Sequence, residues 1–129
     1  MQSVHRVIGF GVVAAFTVGW VWVLGAAIVR REPGRGFWVW LVVAQVVAGL
    51  QALVGLGLLV MGRAIPGTLH LVYGFGPLLI LLIGHALARE LAKGTGGQPV
   101  VQPWVVFGAA SFICFGLSLR ALMTGLGLG

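Results

Sequence analysis

The sequence predicts an all-α membrane protein with four transmembrane helices in an up-down-up-down bundle. Three observations carry that reading. Four stretches, Val7 to Val29, Gly36 to Gly62, Ala64 to Ala88 and Gly94 to Leu119, contain no Asp, Glu, Lys or Arg. Each is longer than the about 20 apolar residues with which a helix, rising ~1.5 Å per residue, crosses the hydrocarbon of a bilayer. Of the 129 residues 60% are apolar and 8% charged, where a soluble domain carries about 25% charged residues, and the mean hydropathy is +1.11. The intervening segments are short and broken by Pro and Gly, which sets sequential helices side by side and antiparallel.

The predicted spans are residues 7–29, 37–61, 68–88 and 104–123, all within a single membrane domain at 1–129. The first follows Gln2-Ser3-Val4-His5-Arg6 and is too long for the apolar core of a signal peptide, so it is read as a retained span. Arg30-Arg31-Glu32-Pro33-Gly34-Arg35-Gly36 then stops the helix and holds the connection at the headgroups. The second span ends at the tight segment Gly62-Arg63-Ala64-Ile65-Pro66-Gly67. The third runs into a polar segment between Arg89 and Pro103 that contains Lys93-Gly94-Thr95-Gly96-Gly97-Gln98-Pro99. Cys114, the single cysteine, falls within the fourth span and has no partner for a disulfide.

A formal charge of +6 does not imply a nucleic-acid partner here. The eight basic residues are distributed along the membrane edges and form no patch; they anchor span ends at lipid headgroups. The bilayer is therefore the expected surrounding. Arg30, Arg31, Arg35, Arg89 and Lys93 lie on the face of the first and third connections, and Arg6, Arg63 and Arg120 on the face of both termini. That excess places the connections in the cytoplasm and the termini outside a prokaryotic-type inner or plasma membrane.

Within the second span Ala44, Ala48, Ala52 and Gly55 repeat at intervals of four, four and three, a smooth face on which another helix, in this chain or another subunit, can approach closely. No span carries an Asp, Glu or Lys near its middle. That removes the carboxylate on which proton-coupled transport relies, as well as the general acids and bases of a deep active site, so no catalytic residue is assigned. Thr17, Gln45, Gln51, Ser111 and Ser118 remain as polar groups at depth, suited to interhelical hydrogen bonds. The two glutamines are six residues apart, about 240° around a helix, and are not expected to share a site.

The third span differs from the others. His70 and His85 stand near its two ends, about 60° apart in direction and ~22 Å apart along an ideal helix, with Gly74 and Gly84 close to the same face. One imidazole at each membrane edge, with glycines beside it, is an arrangement that lets iron be ligated and a flat macrocycle lie against the backbone. His70 and His85 resemble the histidine spacing of the helices in dihaem cytochromes b, and that resemblance implies haem b. Gln51, Gly55, Gly62 and His70 are similar to a half of haem A synthase, but the acidic residue that precedes a ligand histidine in that family is replaced here by Gly67, so no catalytic role carries over.

A second axial ligand for His70 is available from His5, which enters the first span on the same membrane face; Met61 and Met123 lie there too. His85 has no such partner in the chain and would need its symmetry mate in a two-fold homo-oligomer. Other readings are interfacial histidines with wet polar tips, or a quinone or lipid-headgroup site near His70 and Tyr73. Two functions follow as expectations. The first is a non-enzymatic accessory or packing subunit of a larger, bioenergetic membrane complex. The alternative is a small b-type cytochrome that binds one or two haems through His70 and His85, with His5 or a second subunit completing the coordination.

Overall fold

The computed structural model describes residues 2–65, 67–94 and 96–128. Pro66 in the second connection and Thr95 in the third lie outside the described residues. Among those described there are four helices, α1 (Gln2–Ile28), α2 (Arg35–Val60), α3 (Thr68–Lys93) and α4 (Pro103–Gly125), each long and apolar enough to cross a membrane. The helices extend beyond the apolar spans. α1 already includes Gln2 to Arg6, and α3 continues through Arg89 to Lys93, because a helix need not end where the hydrocarbon does: its last turns lie among headgroups, where charged side chains are solvated. At this end of α3 the exposed Lys93 ammonium lies 2.9 Å from Glu90.

Three helices end in the same way. Arg31 N–H donates to Ala26 O and Arg30 N–H to Ala27 O; Arg63 and Gly62 repeat the pair on Leu58 and Leu59, and Leu128 and Gly127 on Met123 and Thr124. This double bond closes a helix only when the first residue past it is left-handed. Gly62 (φ 77) and Gly127 (φ 76) adopt that conformation freely, while Arg30 (φ 57) does so at a cost of about 1–2 kcal/mol.

The helices form a four-membered ring in the order α2, α1, α4, α3. α3 packs most extensively on α4, α1 packs on both α4 and α2, and the seam between α2 and α3 is the least packed. Consequently α1 and α3 stand on one diagonal and α2 and α4 on the other. The middle of the bundle is filled by Val12, Ala15 and Phe16 of α1, Ala44 and Ala48 of α2, Leu81 of α3 and Cys114 of α4. The end bearing the first and third connections is closed by Phe37, Leu41, Ala88, Val106 and Phe107. Trp40 adds a directional tie at mid-depth, its Nε1–H donating to Ala15 O at 2.8 Å. Outward-facing side chains are apolar, with Val60 79% and Leu82 67% exposed. Such a surface is stable against lipid tails and not against water.

The small-residue face of α2 divides into two parts. Ala44 (1% exposed) and Ala48 (5% exposed) pack into the core beside α1, whereas Ala52 and Gly55 line a cavity, described below. The close-packing half is therefore used within the chain. Ala44→Leu is expected to lower bundle stability by about 1–3 kcal/mol, the usual cost of inserting methylenes into a filled core. Denaturation in mixed micelles would measure it, and an unchanged midpoint would show that α1 and α2 do not approach so closely.

Candidate cofactor site

The bundle is filled at its centre and at one end and hollow at the other. Where α1 and α3 begin and α2 and α4 end, all four helices enclose a cavity of about 260 Å³. Val12, Ala48 and Pro77 lie at its inner limit, Ala52 and Gly55 form the α2 wall, and Ser118, Ala121 and Gly125 form the α4 wall. These small residues alternate with larger ones, Gln51, Leu58 and Leu59 on α2 and Leu122 on α4. The other diagonal carries the chemistry, with His5 from α1 and His70 from α3.

Their ring centroids are 6.1 Å apart and the ring planes 71° to one another. This separation is close to the span of two metal–nitrogen bonds, each about 2.0–2.1 Å, with half an imidazole at either end. Glycine permits both ring positions. A Cβ at Gly55 would lie 3.0 Å from His5 Cε1, and a Cβ at Gly125 would lie 3.1 Å from His70 Cε1. A larger residue at either site would push the imidazole aside.

His70 is held in one tautomer. Its Nδ1 lies 3.0 Å from Ala121 O and 3.0 Å from Thr124 Oγ1. A carbonyl oxygen only accepts, so Nδ1 carries the hydrogen, and Nε2 is left with the lone pair. Thr124 is itself oriented by donating to Ala121 O at 2.9 Å. Hydrogen bonding of this kind fixes the orientation of an imidazole ring. Three other polar atoms around the cavity, His5 Nδ1, Gln51 Oε1 and Ser118 Oγ, are buried and have no hydrogen-bond partner in the protein. Buried groups of this kind are ordinarily satisfied by protein or ordered water, and three more of them, Trp20 Nε1, Trp104 Nε1 and Ser111 Oγ, lie elsewhere in the bundle.

His85 belongs elsewhere. It lies near the far end of α3, with its Nε2 donating to Gln45 Oε1 at 2.9 Å and its ring 4.8 Å from that of Phe107. Gln45 in turn donates from its amide nitrogen to Leu41 O at 3.2 Å. The pair ties α3 to α2 across the sparsely packed seam. Gly84 is buried against α4, where a Cβ would meet Ala110 at 3.5 Å and Phe107 at 3.7 Å, while Gly74 is exposed and lines the cavity.

The structure thus brings His5, His70, Gly55 and Gly74 to one site and leaves His85 and Gly84 outside it. Sequence reasoning did not find Gly125, Ala121 or Thr124. The spacing of Ser118, Ala121 and Gly125, three and then four residues, is the one available signal that α4 also presents a small-residue wall. No family model, curated protein or solved structure matches the chain significantly.

Proposed function

We propose that this chain is a small b-type cytochrome of the membrane, which binds one haem b between His5 and His70. The observation that carries the reading is the placement of these two imidazoles, 6.1 Å apart between ring centroids, in one cavity to which α2 contributes Ala52 and Gly55 and α4 contributes Ala121 and Gly125. The donor set fits haem iron, which takes neutral imidazole nitrogens, and the Ala/Gly/Ser walls suit a flat apolar ring. When bound, haem b supplies a one-electron iron couple. His5 and His70 would hold the iron through imidazole nitrogens, and the group so held would suit electron transfer.

The remaining residues prepare the site. Ala121 O and Thr124 hold the proton of His70 on Nδ1, so that Nε2 is the coordinating atom. The core around Phe16, Leu81 and Cys114 closes the cavity from the rest of the bilayer and keeps water from the inner side. A single haem is proposed because His85 Nε2 is engaged with Gln45. This reading takes precedence over a packing subunit because Ala44 and Ala48, the positive feature of that alternative, are buried inside the chain. The larger number of Lys and Arg on the connection face supports an orientation with the cavity toward the outside of a prokaryotic-type inner or plasma membrane.

The test is the reduced-minus-oxidised absorption spectrum of protein purified from haem-replete cells. A Soret and α-band typical of low-spin iron, at one haem per chain, is expected. A flat difference spectrum under full haem supply would overturn the proposal.

A further inference from the structure

Arg6 and Arg63 both line the cavity, Arg6 one residue after His5 on α1 and Arg63 just beyond the end of α2. Neither has a carboxylate partner among the described residues, since the one ion pair joins Lys93 to Glu90. The chain holds only two acidic residues, Glu32 and Glu90, and both are on the face of the first and third connections, at the opposite end of the bundle. The third basic residue of the cavity end is engaged differently: the Arg120 guanidinium stands 5.6 Å from the centroid of the Tyr73 ring. Two arginines therefore line an amphiphilic cavity with no counter-charge among the described residues.

We propose that Arg6 and Arg63 bind the two carboxylates of the haem and so determine which edge of the macrocycle enters the cavity first. This rests on the haem reading above. Haem b has an apolar edge and an edge bearing two carboxylates, and the cavity has the same polarity. Val12, Ala48 and Pro77 form its inner, apolar limit, and the two arginines lie at its headgroup-level mouth. A carboxylate carried inward past Gly9 and Ala52 would meet no cation and would keep its full desolvation cost. At the mouth each can accept paired N–H donors from a planar guanidinium, the strongest neutral-pH partner a carboxylate has. Arginine, rather than lysine, suits this role because its fork matches the carboxylate in geometry as well as in charge.

The test uses full-length apoprotein in nanodiscs of phosphatidylcholine, titrated with haem b and with its dimethyl ester, which keeps the iron and the ring but carries no carboxylate charge. Wild-type protein is expected to bind the free acid about ten-fold or more tightly than the ester, a modest fraction of what two charge-assisted pairs can supply. In the Arg6→Gln/Arg63→Gln variant the preference should disappear while the ester still gives a six-coordinate spectrum; that spectrum shows that the variant is folded and its histidines are in place. Arg6→Lys/Arg63→Lys should retain part of the preference. Equal affinity of wild type for acid and ester, with a normal six-coordinate spectrum, would overturn the carboxylate assignment and leave the haem reading intact. If neither compound gives that spectrum, the haem reading fails and this inference fails with it.

Discussion

Replacing His70 with Ala should abolish six-coordinate haem and reduce retained haem at least about ten-fold, and His5→Ala should do the same, whereas His85→Ala should leave both spectrum and occupancy unchanged. The contrast follows from where the three imidazoles sit. His5 and His70 are 6.1 Å apart between ring centroids in one cavity, so under the proposed haem reading losing either would leave a single imidazole to hold the iron. His70 is additionally fixed through Ala121 O and Thr124, a kind of support whose loss alone typically costs 10–100-fold in metal affinity. His85 contributes a hydrogen bond to Gln45 across the α2–α3 seam, worth roughly 0.6 kcal/mol in a membrane protein. Its removal should appear as a small stability loss without any optical change. Added imidazole should restore six coordination to His5→Ala more readily than to His70→Ala, because the rigidly held ligand would remain in the first and not in the second. Equal haem loss in His85→Ala and His70→Ala would defeat the single-cavity reading.

The four spans were legible because the bilayer imposes a simple rule: a charged side chain in the hydrocarbon is costly, so charge-free runs mark the crossings. Helix ends were less legible. Whether Gln2 to Arg6 is helical is decided by the headgroup region, where charged and apolar residues are both tolerated, and hydropathy does not register it. The membrane face shared by His5 and His70 could be read by counting crossings. Their meeting could not be, because it depends on α1 and α3 occupying one diagonal of the ring, and ring order is set by helix–helix packing among residues remote in sequence. The same holds for Ala121 O, a main-chain atom 51 positions from His70. His85 shows the limit of the helical wheel. An ideal helix puts it about 60° from His70, yet His70 is held by α4 while His85 hydrogen-bonds to α2. A wheel gives directions from one axis and does not say which neighbour lies in each direction. Gln45 and Gln51, read from spacing as pointing apart, do so: one meets His85 and the other borders the cavity.

The second large effect is expected at Gly108, where α4 crosses α1, and it is independent of any cofactor. Gly108 is buried, and a Cβ built there would lie 2.8 Å from Val23 Cβ and 2.9 Å from Val23 Cγ2. Val23 is β-branched and stiff at χ1, so it has little freedom to rotate away, and the contact is to the stem of its side chain rather than to a mobile tip. Gly108→Ala must therefore separate α1 from α4 or twist one against the other. Either change disturbs the neighbouring cluster of Phe37, Leu41, Ala88, Val106 and Phe107 that closes this end of the bundle. The gain in helix propensity from removing a mid-helix glycine, about 0.8–1.0 kcal/mol, acts in the opposite direction, and overpacking at about 1–3 kcal/mol, occasionally more, outweighs it. A net loss of up to about 2 kcal/mol is the expected result on these figures, read as a lower denaturation midpoint in mixed micelles. Val23→Ala should relieve the contacts to the two methyl groups, while the 2.8 Å approach of Cβ remains. In that background Gly108→Ala should cost less than in the wild type, and the double-mutant cycle should give a coupling of about 0.5–2 kcal/mol between the two positions. Additive behaviour would mean that α1 and α4 do not touch at Val23 and Gly108. Because this contact lies at the opposite end of the bundle from His5 and His70, the haem spectrum of any folded Gly108→Ala protein should be unaltered, which separates the interaction that holds the helices together from the site they enclose.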